Sequence, residues 1–161
     1  MGVRAGTLPK DALLQRYASR PDCYTDCYFA DVGRVHDLTS FVTAFYTAPL
    51  FRVERIILRF TVKRPSTDED VRRLLAGEIT RFAAWDIEAR EEQQLLMCDL
   101  SGRTRSWFKV QALEGGTRLY FGSAVVPPAK DQPLGPLFRG LLGFHRLYSR
   151  ALLAGALRRL R

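Results

Sequence analysis

The clearest hydrophobic pattern in the chain runs from residue 82 to 127, where apolar and polar positions alternate in four segments joined by short turns. The segments are FAAWDIEAR, QLLMCDL, TRSWFKVQAL and TRLYFGSAVV, and the connections are Glu91-Glu92-Gln93, Ser101-Gly102 and Gly115-Gly116. Alternation of this kind places successive side chains on opposite faces of a strand. Ser-Gly and Gly-Gly between β-rich runs favour tight hairpins, because glycine reaches positive φ without steric cost. The pattern predicts an antiparallel meander. It leads into a stretch, 134–160, where Leu137, Leu141, His145, Tyr148, Leu152, Ala156 and Leu160 recur at three- and four-residue steps, the spacing of one helical stripe. Gly140, Gly143 and Gly155 each weaken such a helix by about 1 kcal/mol relative to alanine. Packing must therefore hold it, and the glycines would let it approach a sheet closely. A meander that feeds a long helix is an α+β signature.

Upstream the pattern is weaker. Residues 1–21 are polar and mixed, with Pro9 and Pro21, and read as a peripheral N-terminal segment with a weak helix at 10–18. A single domain is expected over 22–161. Residues 22–30, DCYTDCYFA, read as a strand with aromatic residues on both faces. Asp37 suits the N-cap of a helix from Leu38 to Tyr46, with Phe41, Val42 and Phe45 on one face. Pro49 suits the first turn of another helix. The run at 50–62 fits helical spacing through Val53, Ile56, Ile57 and Phe60, and strand alternation through Ile56, Leu58, Phe60 and Val62. Its length and the leading proline favour helix. Ser66 with Glu69 has capping-box spacing ahead of a short helix at 67–76, ended by Gly77.

Turn parity sets which side chains share a face. A two-residue Ser101-Gly102 turn puts Cys98 opposite Arg105 and Leu96 opposite Trp107. A two-residue Gly115-Gly116 turn puts Val110 opposite Phe121 and Phe108 opposite Ser123. One face then holds Leu96, Cys98, Arg105, Trp107 and Tyr120. The other holds Met97, Asp99, Ser106, Phe108, Val110, Phe121 and Ser123, and is the more apolar. A three-residue first loop is favoured over an even one, because it brings Trp85 and Ile87 onto the Phe108 face. Both faces carry large aromatics, so both want cover, or one meets a partner.

Composition bounds the rest. The 161 residues suffice for one domain with its own core. The net charge is +8, carried by 21 arginines and 4 lysines. Because the arginines are dispersed, with no basic block before residue 158, solvated side chains are favoured over a nucleic-acid or membrane footprint. Cys23, Cys27 and Cys98 form no zinc or redox spacing, and a strand would hold the first two about 13 Å apart, too far to bridge. Three reduced thiols in the cytoplasm are expected. The start MGVRAGTLPK has no secretory apolar region, and no run is long enough to span a membrane.

The element order (strand, helices, long antiparallel meander, C-terminal helix) resembles the helix-grip fold of the START-like superfamily. Segments such as AFYTAPLFRVERIIL, SGRTRSWFKV, GTRLYFGSAVVP and LGFHRLYSRALL also resemble a bacterial family of uncharacterised function. The resemblance covers roughly residues 22–158 and implies a curved sheet wrapped around the last helix, enclosing a cavity. Five strands are counted here where that fold usually has more, and the helix at 67–76 is an addition.

If the last helix faces such a cavity, His145 on its apolar stripe could act as acid, base or hydrogen-bond donor. A buried histidine satisfied by a neighbouring carbonyl or carboxylate is the commoner outcome. Asp99 and Ser106 share a face and could form a polar end to a pocket, though such groups more often close turns. Tyr148, Trp85, Phe108 and Phe121 complete the expected ligand-binding set. His36 is expected in solvent. No metal spacing and no nucleotide or hydrolase motif is visible, and no cofactor is expected. The leading reading is a cavity for a small hydrophobic molecule. A cyclase- or dehydratase-type enzyme using His145 with Asp99 or Tyr148 is the second. A module that meets anionic membrane or nucleic acid is the third, with nucleic acid disfavoured because basic residues do not interleave with the aromatics. A homodimer is also among the partners considered.

Overall fold

The computed structural model describes residues 2–53, 55, 65–127 and 134–160. Its seven strands are β1 (Arg4–Ala5), β2 (Tyr24–Val32), β3 (Arg81–Phe82), β4 (Trp85–Glu91), β5 (Gln94–Asp99), β6 (Thr104–Leu113) and β7 (Gly116–Val125). They form one sheet, ordered β1-β2-β7-β6-β5-β4-β3, with every pair antiparallel. The helices are α1 (Gln15–Ala18), α2 (Leu38–Tyr46), α3 (Asp68–Ala76) and α4 (Pro136–Arg159). The α+β class and the C-terminal helix against a meander are as the alternation and the leucine spacing require.

The local signals acted as physical chemistry dictates, with shifts. Asp37 accepts from the Ser40 amide at 2.7 Å and caps α2. The capping box of α3 is one residue later than expected, between Thr67 and Asp70, and Gly77 closes the helix at φ 79°. Residues 49–53 are helical, and the rest of the ambiguous run, apart from Arg55, lies outside the described residues. So do the side chains of Leu137 and Leu141.

Two of the register expectations change. The last hairpin turns at Glu114-Gly115, so Phe108 faces Phe121 and Val110 faces Leu119. Gly115 supplies the positive φ of 74°. Gly116 instead belongs to β7, where a Cβ would lie 2.1 Å from the Val32 carbonyl oxygen. The displacement is two residues, so the faces are unchanged. In the first hairpin only Glu92 and Gln93 form the loop, and the parity change comes from a bulge between Ile87 and Ala89. Trp85 and Ile87 still reach the Phe108 face. The segment counted as one strand from Phe82 is two: Phe82 pairs with Trp85 across Ala83-Ala84, with Ala83 at φ 50°.

Both faces of the sheet are covered from within the chain. On the first, α2 seats Phe41, Phe45 and Tyr46 against Phe108 and Phe121, with Phe51, Phe82, Leu74, Leu153 and Ala156 around them. The C-terminal half of α4 joins this core through Leu152, Leu153, Ala156 and Leu157. The close approach made by a glycine is to Ala48 rather than to the sheet: a Cβ at Gly155 would lie 3.3 Å from that of Ala48. On the second face lie Leu96, Trp107, Tyr120 and Ala124, covered by Ala12, Leu14 and Tyr17. The N-terminal segment is therefore not peripheral, since Leu14 is fully buried. Gln94 fixes it there: its Oε1 accepts from Trp107 Nε1 (2.9 Å) and the Leu13 amide (3.0 Å), and its Nε2 donates to the Asp11 carbonyl (3.0 Å).

Candidate functional site

The first face changes character along the strands. Leu95, Phe108, Phe121 and Tyr28 form one line across β5, β6, β7 and β2. One step along, on the same side, the line reads Met97, Ser106, Ser123 and Asp26. An apolar floor thus gives way to a polar row, and α4 brings His145 down onto it. Parity places Ser106, Ser123 and Asp26 side by side; helical spacing puts His145 on the face that also buries Ser149, Leu152 and Ala156.

Ser123 Oγ donates to Asp26 Oδ1 at 2.6 Å, and the Ser123 amide donates to the same oxygen at 2.9 Å. A serine has one proton to give, so its 2.8 Å contact with His145 Nε2 requires the imidazole nitrogen to be the donor. His145 Nε2 also lies 3.5 Å from Asp26 Oδ2. The Tyr24 ring meets the imidazole edge-on, with centroids 5.8 Å apart. Its hydroxyl lies 3.4 Å from Asp26 Oδ2 and accepts from Arg146 Nε at 3.1 Å. The Asp26 side chain is less solvated than that of His145, 8% exposed against 24%. Burial raises the Asp26 carboxyl above its ordinary value, and the hydrogen bonds from Ser123 and the neighbouring His145 only partly oppose that.

Asp26 was not singled out from the sequence. Its signal was the alternation in β2, which puts it between Tyr24 and Tyr28 on the covered face, where an acid is unexpected.

This arrangement does not assemble a nucleophilic relay. The serine proton points at the carboxylate rather than at the imidazole, and serine and aspartate meet the same ring nitrogen. In a Ser-His-Asp relay they take opposite ones. The geometry is that of a polar binding surface. Asp26 Oδ1 is fully engaged, whereas among the described residues Oδ2 has only the two long contacts at 3.4 and 3.5 Å. Beside it, between β2 and α4, runs a groove of about 470 Å³ lined by Tyr24, Asp26, Tyr28, Gly143, Arg146 and Leu147 among others.

The other expected site residues are distributed more widely. Ser106 stands beside Ser123 in the row. Asp99 closes a turn: its carboxylate accepts from the amides of Arg103 (2.8 Å) and Thr104 (2.9 Å) and from the Ser101 hydroxyl. Tyr148 stacks on Phe144 at 6.0 Å and packs against the core. Trp85 meets Phe51 at 5.6 Å. Phe108 and Phe121 contact Phe45 at 4.8 and 4.7 Å, so α2 occupies the space above them. His36 is half-buried rather than in solvent, its Nε2 without a partner while its amide donates to Thr117. The three cysteines are free thiols, and burial pushes that of Cys27 up to about 12. Among the described residues no His, Cys, Asp and Glu group is placed to hold a metal ion, and no helix is long and apolar enough to cross a membrane.

No family profile and no curated protein matches the chain. Among solved structures the chain is similar to the crystal structure of Ara h 8.0201, with a TM-score of 0.39 and 8% identity over 84% of this chain and 99% of that one. A likeness this loose carries no argument about function.

Proposed function

We propose that the protein binds a small, largely apolar molecule carrying a hydroxyl group, seated in the groove between β2 and α4 with its hydroxyl donating to Asp26 Oδ2. The observation that carries this is a buried carboxylate oxygen with unused acceptor capacity at the edge of a groove. Buried acceptors are ordinarily satisfied, and an unmet one costs about 1–3 kcal/mol. An ionised carboxylate accepts but cannot donate, so it selects a donor head group and repels a second carboxylate. The arginines at 146 and 150 on the groove wall disfavour an ammonium head. Leu147, Tyr28 and Gly143 supply apolar surface for the remainder.

Calorimetric titration with 1-octanol and with octanoate, equal in length and different in head group, tests the reading. Octanol should bind in preference, and Asp26→Leu should reduce its affinity by roughly tenfold or more, the worth of a hydrogen bond to a charged group. Equal or better binding of octanoate, or octanol binding indifferent to Asp26→Leu, would refute it.

A further inference from the structure

While the inner face of α4 carries His145 to the polar row, its outer face is left unaccompanied. Phe144 is 67% exposed and Leu147 66%, on a helix whose residues 152, 153, 156 and 157 are buried. At 100° per residue, Phe144, Leu147 and Ala151 fall within one outward sector, with Gly140 and Gly143 beside them. Arg146 and Arg150 flank that sector on one side, and Arg158 continues it toward the C-terminus. All three are exposed.

Charge distinguishes this face from the rest of the molecule. Elsewhere most described arginines are met by carboxylates, among them Arg118 by Asp31 (2.6 Å), Arg105 by Glu88 (2.5 Å), Arg81 by Asp86 (2.5 Å) and Arg55 by Asp68 (2.6 Å), while Arg90 donates to the Leu74 and Leu75 carbonyls. The last acidic residue of the sequence is Asp131, so α4 has none. Arg146 meets the hydroxyl and ring of Tyr24. Among the described residues Arg146, Arg150, Arg158 and Arg159 have no carboxylate within ion-pair distance. Large apolar side chains and uncompensated cations therefore share one helix face.

We infer that this outer face of α4 docks the protein on an anionic lipid bilayer. Phe144 and Leu147 would enter the boundary between head groups and acyl chains, while Arg146, Arg150 and Arg158 meet lipid phosphates and carboxylates. A helix lying in the membrane plane needs this pairing of an apolar sector with basic flanks. Each arginine near such a surface gains about 1 kcal/mol from its negative potential, or about fivefold in affinity. A second copy of the chain fits the same face poorly, because it would bring two uncompensated arginine sets together and each chain carries a net charge of +8. The inference does not rest on the ligand reading, which turns on Asp26, although Gly143, Arg146, Leu147 and Arg150 border both the groove and this face.

Sedimentation with phosphatidylcholine vesicles, with and without about one-third phosphatidylserine, tests it. The full chain should sediment with the anionic vesicles and stay in solution with the neutral ones. Raising salt from about 0.05 to about 0.5 M should weaken the association severalfold. Phe144→Ser with Leu147→Ser should abolish sedimentation with the melting temperature unchanged, and Arg150→Glu should reduce it at least tenfold. Asp26→Leu should leave it intact even if octanol binding is lost, so the two proposals fail separately. The inference is overturned by equal sedimentation with neutral vesicles, by none with either, or by wild-type behaviour of the double variant. It is also overturned if ultracentrifugation shows a dimer that the double variant dissolves, which would assign the face to a second copy.

Discussion

The two faces of the sheet are covered in opposite ways. On the face of Phe108 and Phe121 the cover is regular: α2, α3 and α4 bring aromatic and leucine side chains at helical spacing, and away from the polar row under His145 they build one apolar core. On the face of Trp107 and Tyr120 the cover is an irregular strap around residues 8–17 that holds only the single turn of α1. A helix satisfies its own backbone. This strap does so only in part, through turns at Ala12, Gln15 and Tyr17, so groups such as the Leu13 amide and the Asp11 carbonyl must find side-chain partners before they can be buried. Gln94, 3% exposed, supplies them, while Lys109 pairs with Asp11 and Glu88 with Tyr17 at 2.7 Å. Apolar residues suffice to seat a helix, but seating a strap also takes buried polar ones.

Neighbouring residues on opposite faces break this comparison most forcefully. Trp107→Ala and Phe108→Ala should each cost about 3–5 kcal/mol, read as a shift in denaturant midpoint. Their local consequences should differ. Loss of Trp107 should free the strap and let trypsin cut after Arg16, while loss of Phe108 should leave that site protected at the same global stability. Equal cleavage in both variants would show that the strap has no separate anchor.

Gln94→Leu is the next largest perturbation. It strands the Trp107 indole, the Leu13 amide and the Asp11 carbonyl, at a cost of about 1–3 kcal/mol. Hydrogen exchange at the Leu13 amide should quicken before any change at Phe121. A smaller effect is expected at Asp26. Burial holds its folded-state value above the unfolded one, so the native state binds the proton more tightly. Stability is then fuller at acid pH, below the unfolded value, and declines as pH rises through the raised one. Asp26→Asn should remove that part of the slope in a melting series, and an unchanged slope would mean that the carboxylate is not desolvated. Least of all, Arg16→Ala should change stability by under about 0.5 kcal/mol, since its pairing with Glu88 is solvent-exposed.

How far the sequence told this story follows the same division. Period-2 alternation settled which residues of the meander share a face, and it survived a two-residue error at Gly115 because parity is conserved under even shifts. The bulge at β4 lay beyond that reasoning, because loop length and bulge give the same parity. Need for cover on the Trp107 face was legible in its aromatics; the strap was not, because Leu13, Leu14 and Tyr17 have helical spacing for barely one turn and Leu8 stands outside it. His145 was legible from its place on the apolar stripe. Its partners Ser123 and Asp26 come from strands far apart in sequence, and only the β2–β7 register brings them together.

The ligand proposal ties the polar row to one face alone, and an amide and side-chain NMR titration with 1-octanol tests that most directly. Shifts should gather at Asp26, Ser123, His145 and Leu147, while the Trp107 indole and the Gln94 side chain stay still. Shifts centred on Trp107 and Gln94, or on Phe108 and Phe121 in the packed interior, would contradict the site assigned here.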